Sequence, residues 1–168
     1  MNNLFIKKLT RRAGFTLTEM LTVVLIVGVM MSLGLPQYRR VIQRSRATEA
    51  ISVLRTLADS AERLATSFGY RNVSGFATAT AGSPSKPFSF NRFDMVGTST
   101  LPCPVTDSTI TCENFTYTLN NDGTISALQN GLDVTLTVHP DLDSSADGYI
   151  TCSEGEGTSY CALYGYED

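Results

Sequence analysis

The chain has 168 residues, 42% of them apolar and 17% charged, with a formal net charge of −3. That length allows one modest domain with an appendage, not two full domains. The apolar and aromatic content excludes a disordered chain, and the net acidity argues against a basic nucleic-acid binder.

Residues 1–14 carry Lys7, Lys8, Arg11 and Arg12 and no acid, and residues 15–36 are apolar apart from a few small polar residues and a single charge, Glu19. A basic start followed by an apolar run marks a secretory signal or a membrane anchor. From Phe15 onward about 22 residues precede Gln37, enough at 1.5 Å per residue to cross roughly 30 Å of hydrocarbon. Ser32, Gly34 and Pro36 lead into Gln37-Tyr38-Arg39-Arg40, a poor site for a signal peptidase. The pattern therefore predicts a single-span anchor, with the four cations holding the N-terminus in the cytoplasm and the remainder exported. A carboxylate inside such a span costs roughly 2.5–3.5 kcal/mol at the helix centre, less near an end, so Glu19 calls for a partner.

The run Gly14-Phe15-Thr16-Leu17-Thr18-Glu19, between a basic leader and an apolar helix, resembles the cleavage and methylation motif of type IV prepilins and the related type II secretion pseudopilins. The resemblance implies that a prepilin peptidase cuts between Gly14 and Phe15, removes 1–14 as a leader, and methylates the new Phe15 amine. A glycine before the scissile bond lets the backbone approach a protease without a side-chain clash. Glu19 then lies near a helix N-terminus, where its charge is favoured. The resemblance further implies that Glu19 pairs with the Phe15 amine of a neighbouring copy when subunits stack. Gly28 and Pro36 stand where pilins of the family often carry a glycine and a proline, and the segment between them can melt in filaments. Pro36 removes a helical hydrogen bond, so it should interrupt the helix by kinking or loosening it. The rival reading is an ordinary anchor with an accidental glutamate.

Past the span, Ala47, Ala50, Ile51, Leu54, Leu57, Ala58, Ala61, Leu64, Ala65 and Phe68 recur at three- and four-residue spacing. They predict an amphipathic second half of the helix over 37–68, with Gly69 as its stop. Phe15 to Phe68 would then run for roughly 80 Å. Residues 69–114 read as an irregular connection broken by Pro84, Pro87, Pro102 and Pro104. Alternating runs follow at Phe115–Leu119, Thr124–Leu128 and Leu132–Val138, separated by Asn121-Asp122-Gly123 and Asn130-Gly131. Both separators are hairpin signals. The expectation is an α+β fold. A long N-terminal helix carries a three- or four-stranded antiparallel meander on its exposed half, and 69–168 forms a globular head.

Four cysteines, Cys103, Cys112, Cys152 and Cys161, allow three disulfide connectivities, among which the sequence does not choose. Export favours disulfides over free thiols, and local pairing, Cys103–Cys112 and Cys152–Cys161, would close two small loops. Cys152–Cys161 resembles the bond with which pilins often bound a variable C-terminal region. Zinc is a weak rival, since no pair is a C-x-x-C and the only histidine is His139. Asp141, Asp143 and Asp147 are weak calcium candidates: the run's glycine, Gly148, stands at the eighth place and its twelfth residue is Cys152, so a solvated acidic turn is the better reading. No other cofactor is indicated. Asn72-Val-Ser74 and Asn114-Phe-Thr116 match the short glycosylation sequon. No nucleophile–base pair or nucleotide loop marks an enzyme, because His139 precedes Pro140 as a turn residue would.

Charge is segregated. Residues 37–92 carry nine basic and three acidic residues, while 93–168 carry twelve acidic and none basic. Arg39, Arg40, Arg44 and Arg46 are expected to meet either lipid headgroups or the acidic part of another copy. The sequence is identified as similar to type IV pilin precursors, structural subunits of an extracytoplasmic filament. Implied partners are further copies, the peptidase, an inner-membrane assembly platform, minor pilins and, before assembly, the membrane; nucleic acid is not indicated. The implied location is the inner membrane as a single-pass precursor, then the cell surface. The alternatives are the major pseudopilin of a type II secretion system and, from another class, a membrane-tethered calcium-binding or hydrolytic domain.

Overall fold

The computed structural model describes residues 14–83, 85, 87–95, 102–141, 149–156 and 159–166. The leader cations, Pro84, Asp143 and Asp147 lie outside the described residues. The chain divides into two units, residues 1–40 and 41–168. Helix α1 (Leu17–Ser67) begins in the first and ends in the second.

In the first unit every residue from Gly14 to Arg40 is exposed. Its apolar window has a mean hydropathy of 2.0, and the helix is long and apolar enough to cross a membrane. So continuous an apolar surface has no place in water, where exposed patches on monomers rarely exceed a few hundred Å². Helix α1 continues through Gly28, Gly34 and Pro36, with the proline inside the helix. Proline forfeits one backbone bond and crowds one carbonyl, and an apolar helix that is otherwise fully bonded tolerates that.

In the second unit the expected stripe is the buried face of α1 except at its end: Ala47, Ala50, Leu54, Leu57, Ala58, Ala61 and Ala65 are buried and Ile51 and Leu64 half-buried, while Phe68 lies past the helix and is exposed. Alanines at five of those seven buried positions keep that face flat, so a sheet can approach closely. The helix stops at Gly69, whose φ of +81° is left-handed. Tyr70 N–H donates to the Ala65 carbonyl (3.0 Å) and Gly69 N–H to that of Thr66 (2.9 Å), the paired bonds of a Schellman cap.

The sheet has five antiparallel strands in sequential order, two more than the three runs read from the sequence: β1 (Thr109–Thr111), β2 (Phe115–Leu119), β3 (Ile125–Gln129), β4 (Val134–Val138) and β5 (Ile150–Glu154). Strands β2, β3 and β4 alternate buried and part-exposed residues. Phe115, Tyr117, Ile125, Ala127, Val134, Leu136 and Val138 join the helix stripe in one core. Thr109, Thr118, Ser126, Thr137 and Thr151 lie in register across the other face, and Thr111, Thr116, Leu128, Thr135 and Ser153 form a second row. Only Leu128 interrupts this hydroxyl surface; β-branched threonine suits a strand while keeping that face wet.

Residues 69–114 are not the irregular connection expected. They hold helix α2 (Val73–Thr80), a 3-10 turn at Phe90–Arg92 and strand β1. Helix α2 is short and has poor intrinsic propensity, so it depends on its caps and on burial of Val73, Phe76 and Ala77. Asn72 accepts from Gly75 N–H at 3.2 Å, and a Cβ on Gly75 would meet that oxygen at 2.4 Å. Gly123, with φ +91°, turns β2 into β3 against the start of α2, where a Cβ would meet Ser74 backbone atoms at 3.0 Å. Phe76 stacks on Phe68, and its ring also meets Tyr70 and Phe88.

Among the described residues one ion pair joins the basic and acidic blocks: Arg63 Nε donates to Asp94 at 2.8 Å, and Ser60 Oγ donates to the same carboxylate at 2.7 Å. These bonds hold the Asp94 carboxyl down at about 2.

Burial pushes up the phenols of Tyr117, Tyr149, Tyr164 and Tyr166, with Glu49 adding to the effect at Tyr117. Groups whose folded pKa is raised stabilise the fold below the unfolded value, and that contribution is lost as pH rises through the folded one. Stability is therefore expected to hold up to about pH 10 and fall above it. Tyrosinate absorbance should rise together with unfolding. Full ionisation of these phenols while the fold persists would contradict this.

Candidate functional site

The start of α1 is built from Thr16-Leu17-Thr18-Glu19. Glu19 Oε2 accepts the Thr16 backbone N–H at 2.8 Å and the Thr16 hydroxyl at 2.8 Å. In return Thr16 Oγ1 accepts the Glu19 N–H at 3.3 Å. This reciprocal pair is a capping box, in which two orphan donors of the first turn are satisfied. The S/T-x-x-E pattern was present in the sequence at Thr16 and Glu19, and the reading above did not use it. Phe15 precedes the cap and is 79% exposed. Nothing lies within 4 Å of a Cβ built on Gly14 or Gly28, so this chain's own packing requires a glycine at neither place.

The second unit contains two disulfides, Cys103–Cys112 and Cys152–Cys161, with Cα separations of 5.1 and 5.7 Å. The second ties β5 to helix α3 (Tyr160–Tyr164). Glu154 accepts the N–H groups of Tyr160 (2.5 Å) and Cys161 (3.0 Å), capping α3. The Tyr164 hydroxyl donates to Gln129 Oε1, and Gln129 Nε2 donates to Gln43 Oε1 at 2.6 Å. This buried polar chain from α3 through β3 to α1 was missed in the sequence. Its one signal is a glutamine on the inward parity of a strand.

Asp141 stands at the start of α2, accepting Val73 N–H (2.5 Å) and Ser74 N–H (2.8 Å), one on each oxygen. Its calcium companions Asp143 and Asp147 lie outside the described residues. Burial, then the charges of Asp59 and Asp141, push the Glu62 carboxyl up. Among the described residues no group of three or more Asp, Glu, His or Cys could hold a metal ion. His139 follows β4, its Nε2 lying 3.3 Å from Thr151 Oγ1.

Residues 9–35 match the family model of the prokaryotic N-terminal methylation motif. The chain carries that motif. It spans Gly14, Phe15, Glu19 and Gly28, and Pro36 lies one residue beyond it. Two fimbrial proteins of Pseudomonas aeruginosa are each 39% identical over 49 residues, covering 29% of this chain and 32% of theirs. The match thus spans about a third of the length of those curated relatives. No solved structure matches the chain.

Proposed function

We propose that this protein is a type IV pilin-like structural subunit, made as a membrane precursor and polymerised through α1. The observation that carries this reading is a methylation motif opening a wholly exposed apolar helix, with one carboxylate in its first turn. In this reading 1–14 is the leader, 15–36 the membrane and assembly segment, 37–68 the amphipathic helix and 69–168 the head. A prepilin peptidase cuts between Gly14 and Phe15 and methylates Phe15, an inner-membrane platform assembles copies with minor pilins, and the filament reaches the cell surface. Glu19 pairs with the Phe15 amine of a neighbour. Gly28 and Pro36 leave the helix able to loosen as subunits pack. The disulfides favour a pilus subunit over a secretion pseudopilin, since the latter typically lack cysteine pairs. The reading is structural and involves no catalysis.

Mass spectrometry of assembled protein is expected to show Phe15 as a methylated N-terminus, and Gly14→Val to leave the leader attached. Filaments built from uncut chains would overturn the proposal. Glu19→Ala is expected to leave export and cutting intact while filament yield drops at least tenfold, an effect worth about 1.4 kcal/mol per interface. Yield equal to the unaltered protein would remove Glu19 from assembly.

A further inference from the structure

The capping box places two separate demands on one carboxylate. Thr16 supplies both donors to Glu19 Oε2, and no described residue bonds Oε1. A carboxylate oxygen has two lone pairs, so Oε2 is satisfied within its own helix while Oε1 stays open. Without Thr16 the side chain of Glu19 would rotate among its rotamers, and a long acidic side chain has considerable freedom to lose on pairing.

We propose that Thr16 is the positioning residue for Glu19, holding Oε2 on the helix's own first turn so that Oε1 faces outward to take a primary ammonium from a second copy of this chain. The inference rests on the filament reading above and adds a residue to it. The same bonds serve the subunit before assembly. They give the carboxylate partners while it stands at the edge of an apolar span, where an unpartnered charge is disfavoured. Assembly then adds an ion pair to an oriented acceptor and does not have to break the cap. Thr18 Oγ1, 3.1 Å from Thr16 Oγ1, can donate to that oxygen and leave its proton for Glu19.

The test uses the full chain in its own host, with four variants scored for leader removal, methylation and sheared filament yield. Thr16→Ser keeps the hydroxyl and the backbone donor, and its yield should match the unaltered protein. Thr16→Val keeps shape and loses the hydroxyl. It should be cut and methylated normally and yield several-fold fewer filaments, in line with the roughly fivefold shift that loss of a cap produces. Glu19→Gln preserves the capping box, in which glutamine also serves, but carries no charge. Its yield should fall as far as that of Glu19→Ala.

A second readout does not depend on filaments. In detergent micelles the Thr16 amide proton resonance should move in Glu19→Ala and stay in place in Glu19→Gln. An unmoved resonance in both would show that the cap does not form and would overturn the inference. Normal yield from Thr16→Val, with Glu19→Ala defective, would overturn it while sparing the filament reading. A Thr16→Val chain that keeps its leader would place the residue's effect at the peptidase and also overturn it. Normal filaments from both Glu19 variants would remove the Glu19 pairing on which the inference stands.

Discussion

Replacing Phe76 by alanine is expected to destabilise the second unit, residues 41–168, by about 3–5 kcal/mol, a large part of the roughly 5–15 kcal/mol that holds a typical domain together. Phe76 is fully buried, and it is among the largest side chains so enclosed. Its ring lies 5.1 Å from those of Phe68 and Tyr70 and 5.5 Å from that of Phe88. Deletion would therefore remove transfer energy and open a cavity bounded by three rings that cannot all collapse inward. Helix α2 has only eight residues and exists because this face is buried, so its caps at Asn72 and Asp141 should loosen with it. Phe68→Ala is the control. Phe68 is 48% exposed, so its loss should cost well under half as much. Denaturation of the full chain in detergent, followed by near-ultraviolet circular dichroism, measures both. A loss below about 1 kcal/mol for Phe76→Ala would mean that α2 is not part of the cooperative core.

Converting Cys152 and Cys161 together to alanine is expected to cost about 2–4 kcal/mol, by restoring loop entropy to the unfolded chain. The bond closes a loop of the same sequence separation, 9, as Cys103–Cys112. The loop-closure contribution of the two bonds should therefore be equal, and any difference between the paired variants reports on native contacts alone. Cys161 is 4% exposed and sits in α3, a helix of five residues that would not persist by itself. The disulfide, the Glu154 cap and the Tyr164–Gln129–Gln43 chain hold it in place. Hydrogen exchange should show residues 160–166 losing protection first. Peptide mapping without reductant should find both bonds and no free thiol. Unchanged stability on reduction of the unaltered protein would contradict the expected contribution.

The start of α1 and its charge pattern were legible because membrane spans and methylation motifs are written in contiguous residues. The amphipathic stripe and the Gly69 stop were legible for a similar reason: a 3.6-residue period and a left-handed cap need only local sequence. Strand β2 fell where its alternation placed it, and Gly123 and Gly131 turn the hairpins with positive φ, as Asn-Asp-Gly and Asn-Gly suggest. Strand β5 escaped notice because Ile150-Thr-Cys-Ser-Glu154 has only two inward positions of apolar character, one of them a cysteine. Helix α2 was missed because its threonines, glycine and valine are poor helix formers. Asp141, one of the groups that cap it, lies 68 residues away.

By itself, then, the sequence determined the apolar span, the motif at its start, the buried face of the amphipathic helix and the central hairpins. Each is encoded by neighbours within a few turns or one hairpin. Only the tertiary structure decided that Asp141 caps α2 and that Gln129 links Tyr164 to Gln43. Both unite residues tens of positions apart, where no local preference selects a partner and burial makes an unpaired polar group costly. The hold of Thr16 on Glu19, by contrast, is short-range, and its pattern could be read in the sequence.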